Sequence, residues 1–388
     1  MFKSILISGL LSASIYAQSF DMFLQEAIDN SPFLKSSALA VTQAKEQSSL
    51  LTRYENPTLE MEYSNFDPDV GDSDNGYRVN FSQPVRLWSV GDDRKALAIA
   101  GINNANNAYL QQRAIFIRDI SLQFTLYSQQ KELLSLGNEE LEIAKKIYDI
   151  SKARYESGTI SRGLLLQSQV DYEIIKSSNE ALILASSQSY YTLLRLSGIN
   201  KDISINKDHK FSLNNSDATQ NPDLALIKSQ QDKSISQAKL NSNKIEWMNV
   251  YAEYESEPDQ DILRAGINFP LAIFNTRSQE REISKLQASR SKLMLTNESA
   301  RLDIETKRLN AERNSLNKQI EANEAVLKTE LELLQMFQEG YKISNINLLQ
   351  LQDVKNKVIF TKRTLIQVNT ALNQNAIITN YNQGSYNE

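Results

Sequence analysis

The chain has 388 residues, with only 12 Gly and 7 Pro, no Cys, and a formal net charge of −5 at pH 7. So few turn-forming residues favour long elements, and mixed charges among Leu, Gln and Asn suit solvated helices with narrow apolar seams. This composition argues against a disulfide framework, a thiolate metal site, a lipidated Cys and a basic nucleic-acid-binding surface.

Residues 1–17, MFKSILISGLLSASIYA, are typical of a secretory signal. Lys3 supplies the basic start, residues 5–11 are apolar, and Ala17 suits cleavage. The alternative, a single membrane anchor, needs a longer and less Ser-rich apolar run. No later stretch is apolar for about 20 residues, so we expect an exported protein without an inner-membrane helix.

The remaining chain is predicted to be a tandem repeat. Three pairs of similar segments occur in the same order in both halves: 31–34 with 221–224, 81–85 with 267–271, and ISRGLLLQSQ (160–169) with ISNINLLQLQ (343–352). Ordered matches indicate one duplicated unit. We assign the repeats to 18–200 and 221–388, joined by a polar linker at 201–220.

Each repeat is predicted to contain a helix, two strands, a long helix, a Gly-containing turn and a return helix. The predicted helices are 34–55, 94–155 and 162–196 in the first repeat, and 223–245, 278–339 and 344–375 in the second. Leu302, Leu309 and Leu316 have coiled-coil spacing. The long helices would extend roughly 90 Å, and the two shorter helices of each repeat together match that length.

The predicted strands alternate apolar and polar residues and are joined by acidic loops at 67–76 and 255–261. Two interpretations fit: half-buried hairpins on a soluble protein, or strands whose apolar side faces lipid. Four strands cannot close a barrel in lipid, so the second interpretation needs three chains and 12 strands. Trp88 and Trp247, at strand ends, suit an interfacial belt or an ordinary β-rich patch. The predicted lipid-facing residues are Leu59, Met61, Tyr63, Tyr77, Val79, Phe81, Met248, Val250, Ala252, Leu263, Ala265, Ile267 and Phe269.

The repeated decapeptide lies where each long helix turns back. Gly158 and Gly340 are predicted to end the long helices in the left-handed conformation, and Ser161 and Ser344 to cap the return helices. The decapeptide is therefore a helix–turn–helix corner. The retained LLQxQ, which includes Leu165, suggests an added constraint such as docking to a partner.

The signal, the doubled order of elements and the two corners together resemble the TolC-type outer membrane efflux family. The short linker and compact length are more similar to its heavy-metal branch, with CzcC- and CusC-like members. The resemblance implies a mainly α fold with a small β part: a long coiled-coil α-helical barrel plus four transmembrane β-strands per chain, closing as a 12-stranded barrel in a homotrimer. It also implies an outer membrane location and a tunnel extending into the periplasm.

The resemblance implies that the protein functions as the channel of a tripartite efflux or type I secretion system. Corners at 155–163 and 337–347 would form the entrance and meet a periplasmic adaptor from an inner-membrane pump. The family often has acidic gate residues where this chain has Asn347 and Gln350, so an acidic ring is either absent or moved to Asp353. Lys342 stands where a basic gate residue is common. The predicted docking and gate residues are Gly158, Ser161, Leu165, Gly340, Lys342, Ser344, Asn347, Gln350 and Asp353.

No catalytic, cofactor-binding or metal-binding motif is found, and the single histidine, His209, is predicted to be exposed in the polar linker. We therefore expect a passive conduit and no enzyme, cofactor or nucleic-acid partner. The rival interpretation is a soluble periplasmic or surface coiled-coil scaffold or adaptor. Few glycines argue against an adaptor's β-rich domains, and a scaffold has no need of lipid-patterned strands.

Overall fold

The structure, a computed structural model, describes residues 18–67, 69–214, 221–343 and 345–386. The predicted signal at 1–17 lies outside the described residues. The chain forms two compact units, each built from both halves of the sequence. The helical unit contains the described parts of Met1–Lys35, Arg113–Thr219 and Ile304–Glu388, and the sheet unit contains Ser36–Gln112 and Gln220–Asp303.

The first half of the chain contributes four helices and two strands among its described residues. They are α1 (Phe20–Asn30), α2 (Pro32–Thr52), β1 (Thr58–Phe66), β2 (Asp74–Arg86), α3 (Val90–Glu156) and α4 (Arg162–Ser197). Apart from α1, these are the predicted elements. Helix α1 has only 11 residues. Ser19 caps its N-terminus, and the Ser19 side chain accepts a hydrogen bond from the Met22 amide.

Among its described residues, the second half repeats the order without a counterpart of α1. Its described elements are α5 (Pro222–Leu240), β3 (Trp247–Glu257), β4 (Gln260–Asn268), α6 (Ser278–Lys342) and α7 (Leu348–Asn382). Helix α5 ends five residues before the predicted 245, because the polar residues from Asn241 onward offer no apolar face to bury. The predicted mainly α fold with a small antiparallel sheet is confirmed.

The four strands form one antiparallel sheet in the order β1-β2-β3-β4. The central pair joins the two halves of the chain, with Tyr77 opposite Ser256 and Arg86 opposite Trp247. β1 and β4 each pair on one side only. Within the described chain, therefore, both outer strands carry a free edge of backbone donors and acceptors.

The register places the predicted apolar residues on one face of the sheet. Residues directly opposite each other in antiparallel strands share a face. One such row crosses all four strands as Met61, Val79, Tyr254 and Leu263, and another as Leu59, Phe81, Ala252 and Ala265. Only Phe269 falls outside the strands, one residue beyond β4.

The core of the helical unit is aromatic near α1. Phe20 and Phe23 of α1 pack with Phe124 of α3 and Leu193 of α4, all nearly inaccessible to solvent. The backbone of Gln18 bonds to both Ser204 and Asn206, so the start of α1 pairs with the segment following α4. The predicted coiled-coil residues Leu302, Leu309 and Leu316 are buried, the first of them in the sheet unit.

A second core of the helical unit lies near the corners. It combines Ile147 of α3, Leu334 of α6, and Leu348, Leu351 and Val358 of α7. In the sheet unit, a smaller cluster joins Val90 and Leu97 of α3 to Leu240 of α5. Across the described segments, no helix has a stretch apolar and long enough to span a bilayer.

Helix α7 also buries a charged side chain that the sequence pattern did not reveal. Lys355 is 1% exposed and its Nζ lies 3.0 Å from Asp171 Oδ2 on α4. An unpaired buried ammonium costs several kcal/mol, so this ion pair ties the two return helices together.

We expect Asp171→Asn to lower the local opening free energy around residues 171 and 355 by about 3 kcal/mol, because Lys355 then lacks a counter-charge. The double change Asp171→Leu with Lys355→Met should recover most of that loss. Hydrogen exchange of the neighbouring amides measures both effects. Asp353→Asn is the matched control, since Asp353 and Lys357 form a similar 2.8 Å pair that is largely exposed. Equal losses at the two pairs would contradict the assignment.

Candidate functional site

The first corner follows the prediction closely. Helix α3 ends at Glu156, and Gly158 has φ 73°, the left-handed region that favours glycine. Its amide donates to the Tyr155 carbonyl at 2.9 Å. Ser161 then caps α4, its side chain accepting from the Leu164 amide. Leu165 is half-buried on the first turn of α4.

The second corner is built differently, and two predictions about it are wrong. Gly340 does not have a left-handed backbone but lies within the last turn of α6. The physical reason for glycine here is close packing, because a Cβ at this position would lie 2.6 Å from Ile346 Cγ1. Ser344, which lies outside the described residues, is not the N-cap of α7, since that cap is Asn347.

Asn347 and Gln350 cap α7 reciprocally. The Asn347 side chain accepts from the Gln350 amide at 2.9 Å, and the Gln350 side chain accepts from the Asn347 amide at 3.2 Å. This capping box satisfies two backbone donors that a helix start otherwise leaves free. The two positions predicted as gate residues are therefore also the start of the helix.

The remaining predicted gate residues are charged and exposed. Lys342 is the last residue of α6 and is open to solvent. Asp353 lies one turn into α7 and is paired with Lys357, whose pKa it raises by accepting a hydrogen bond. If Asp353 replaced the acidic ring, each of its carboxylates would therefore have the positive charge of Lys357 beside it.

Tyr341 joins the two corners and was not among the predicted site residues. It is 1% exposed, its hydroxyl lies 2.8 Å from Ser151 Oγ, and its carbonyl accepts from Arg154 at 3.0 Å. The Arg154 guanidinium also stacks 4.5 Å above the Tyr341 ring. The heptad pattern could have identified this residue, because Tyr341 follows Leu327 and Leu334 at intervals of seven.

The apolar face of the sheet is open to solvent in the single chain. Leu263 is 80% exposed, and Met61, Tyr63 and Ile267 are more than half exposed. The opposite face carries ion pairs between neighbouring strands, linking Arg78 to Glu62 and Arg264 to Glu253 and Glu255. A large exposed apolar surface backed by paired charges marks an interaction site.

His209 is not exposed as predicted. Its ring is half-buried and lies 4.7 Å from the rings of Phe20 and Phe211, centroid to centroid. The histidine therefore packs the linker onto α1. Within the described ranges, no group of three or more potential ligand residues could hold a metal ion.

The order of elements, the sheet and the paired corners define the fold of the TolC-type outer membrane channels. Solved structures agree over most of the chain. CusC superposes with a TM-score of 0.78 at 17% identity, covering 94% of this chain and 91% of CusC. The outer-membrane channel OprN gives 0.78 at 10% identity, covering 95% and 90%. The Campylobacter jejuni outer membrane channel CmeC gives 0.74 at 15% identity, covering 94% and 85%.

In sequence, residues 23–199 match the family described as outer membrane efflux protein. The resemblance predicted from the corners and strands is thereby confirmed, and so is the outer membrane location. No curated protein matches the chain.

We expect Gly340→Ala to weaken the second corner by about 1–3 kcal/mol, because the new methyl group overlaps Ile346. Ile346→Ala removes the overlapping atom, so the double variant should lose less than the sum of the single losses. Hydrogen exchange of amides 341–350 reports the opening free energies. Gly163→Ala is the control, since its nearest neighbour would be 3.7 Å away. Simple additivity of the two changes would rule out the proposed contact.

Proposed function

We propose that this chain is the outer membrane channel of a tripartite efflux or type I secretion system. It would passively conduct substrate delivered by an inner-membrane pump across the periplasm and outer membrane. The observation that carries the proposal is the sheet, whose apolar face is exposed and whose two outer edges are unpaired. Neither feature suits a stable monomer in water or in lipid.

A homotrimer removes both problems. If β4 of one chain pairs with β1 of the next, three sheets close into a 12-stranded barrel without edges. The exposed apolar rows would then face outer membrane lipid, and the ion-paired face would line a water-filled pore. Strands of 9 to 13 residues are long enough to cross the membrane when tilted.

The helices and corners supply the periplasmic part of the proposal. The duplicated organisation of repeats at 18–200 and 221–388 is supported by the same order of elements in both halves. In a trimer it would present six corners to a periplasmic adaptor. We propose the corner residues for docking, and Lys342, Asn347 and Gln350 for the gate, where the family's acidic ring is replaced by uncharged side chains.

A soluble coiled-coil scaffold is the alternative function. It is disfavoured because a scaffold would bury or charge both faces of its sheet. The two functions predict different oligomeric states, and only the channel would need detergent for its extraction.

The test is the protein mass of the complex extracted from the outer membrane fraction, measured by light scattering in detergent. We expect about three times the chain mass of 44.0 kDa, with extraction requiring detergent. A water-soluble monomer or dimer recovered from the periplasm would overturn the proposal in favour of the scaffold.

The orientation of the sheet has its own test. Val79→Lys or Ile267→Lys should prevent accumulation in the outer membrane, because each lysine on the lipid side costs about 2–4 kcal/mol near the bilayer midplane. Asn80→Lys is the matched control on the other face, where its cross-strand neighbours are Glu60 and Glu253. Immunoblots of separated membranes, with heat-stable trimers as the readout, measure the outcome. Tolerance of the first two changes, or failure of the third, would reverse the assignment of the faces.

A further inference from the structure

Two glycines lie within the described strands of the sheet. Gly76 is in β2 and Gly266 is in β4. Glycine weakens a strand, because it is flexible and has no side chain to pack, so its presence there needs a reason. Neither glycine has a left-handed φ, so the backbone conformation is open to other residues. The reason is therefore the space that a side chain would occupy.

An aromatic ring fills the space above each glycine. A Cβ atom on Gly266 would lie 2.7 Å from the hydroxyl oxygen of Tyr251 and 2.8 Å from the ring carbon that bears it. Tyr251 is directly opposite Gly266 in the β3–β4 pair. A Cβ atom on Gly76 would lie 2.8 Å from the ring of Phe66 on β1. Each ring therefore occupies the place that a side chain on the facing glycine would take.

Both rings lie on the ion-paired face of the sheet. Side chains alternate along a strand, so Tyr251 shares its face with Glu253, and Phe66 shares its face with Glu62. This is the face proposed to line the pore. A strand side chain ordinarily stands roughly perpendicular to its sheet. The Tyr251 ring instead leans sideways along the wall, because its outer atoms lie above Gly266.

Tyr251 is the largest residue of its row across the sheet. The register aligns it with Gly266 on one side and with Ser82 on the other, and Ser82 is opposite Thr58. The side chains of Ser82 and Thr58 are small, and glycine has none. The width of the pore at this level therefore depends on the direction of the tyrosine ring.

The longer side chains of the next row are also held along the wall. Arg264 is paired with Glu253 and Glu255, whose side chains are 13% and 21% exposed. Pairing between residues of neighbouring strands draws these side chains sideways over the sheet. The neutral Tyr251 cannot form an ion pair, and the space above Gly266 holds its ring instead.

We propose that Gly266 is a positioning residue that keeps the pore open at the level of Tyr251. It gives the tyrosine ring a place against the wall, so that bulky solutes can pass between the three rings of a trimer. Gly76 places Phe66 in the same way nearer the hairpin loops, but a Cβ there would also meet the Ser256 carbonyl oxygen at 2.7 Å. This inference rests on the proposed function, because it requires the ion-paired face to line a pore.

The test uses the absence of cysteine from the chain. Asn268→Cys places a single thiol on the same face, one row beyond Gly266 toward the helices. Whole cells are treated from outside with a small thiosulfonate reagent or with a maleimide that carries a bulky polymer. Gly266→Ala should slow the bulky reagent about tenfold or more and the small reagent less than about twofold, because the displaced Tyr251 ring narrows the lumen.

Two further variants separate the direction of the ring from its size. Tyr251→Ala should leave the rate of the bulky reagent unchanged, because the native ring already lies along the wall. Tyr251→Ala combined with Gly266→Ala should restore the parent rate, because no ring remains to be displaced. Asn80→Cys is the matched control, since it lies one row nearer the hairpin end than Tyr251 and should react equally in every background.

The outcomes distinguish the inference from the proposed function. Faster bulky labelling in Tyr251→Ala would show that the native ring crosses the lumen and would overturn the inference, as would unchanged labelling of an assembled Gly266→Ala trimer. If Gly266→Ala alone forms no heat-stable trimers, assembly of the double variant supports the contact, and the rate in Tyr251→Ala decides the direction of the ring. A parent Asn268→Cys chain that forms no trimer, or that reacts with neither reagent from outside, overturns the proposed function and the inference with it.

Discussion

The pairing of β2 with β3 is the constraint on which the sheet unit depends. It joins strands from opposite halves of the chain, so neither half can complete the sheet without the other. The register of this pair brings Val79 opposite Tyr254 and Phe81 opposite Ala252. Because strand side chains alternate with a period of two, a slip by one residue would place these apolar side chains among the ion pairs of the other face. The single apolar face follows from that register, and the free edges follow from the strand order.

The two corners show that similar sequences can meet one requirement by different means. Both must end a helix and start another. The first uses a left-handed glycine and a serine cap, whereas the second continues α6 past its glycine and starts α7 with an asparagine–glutamine box. Five residues separate the two helices in both corners, 157–161 in the first and 343–347 in the second. In the second corner, Ile346 occupies the space beside the helix that Gly340 leaves free. The similar sequences therefore both form a turn, but different contacts stabilise the two turns.

Sequence alone predicted the features that depend on periodicity. Alternation predicted the faces of the strands, and intervals of seven identified Leu309 and Leu316 as core residues, because both patterns are local. Contacts between distant segments were not predictable in this way. Glu246 meets Arg94 across 152 positions, and Lys355 meets Asp171 across 184. His209 was misjudged for the same reason, since its aromatic neighbours come from α1 and α3.

At the second corner, the residues that cap the helix could be either charged or uncharged without changing the fold. Glutamate closes a capping box as well as glutamine does, and aspartate caps a helix as well as asparagine. The helix dipole would even favour an acid at the start of α7. The uncharged pair Asn347 and Gln350 is therefore not required by the fold. It leaves Lys342 as the charge nearest to the turn among the described residues of that corner, so the local potential there is set independently of how the corner folds.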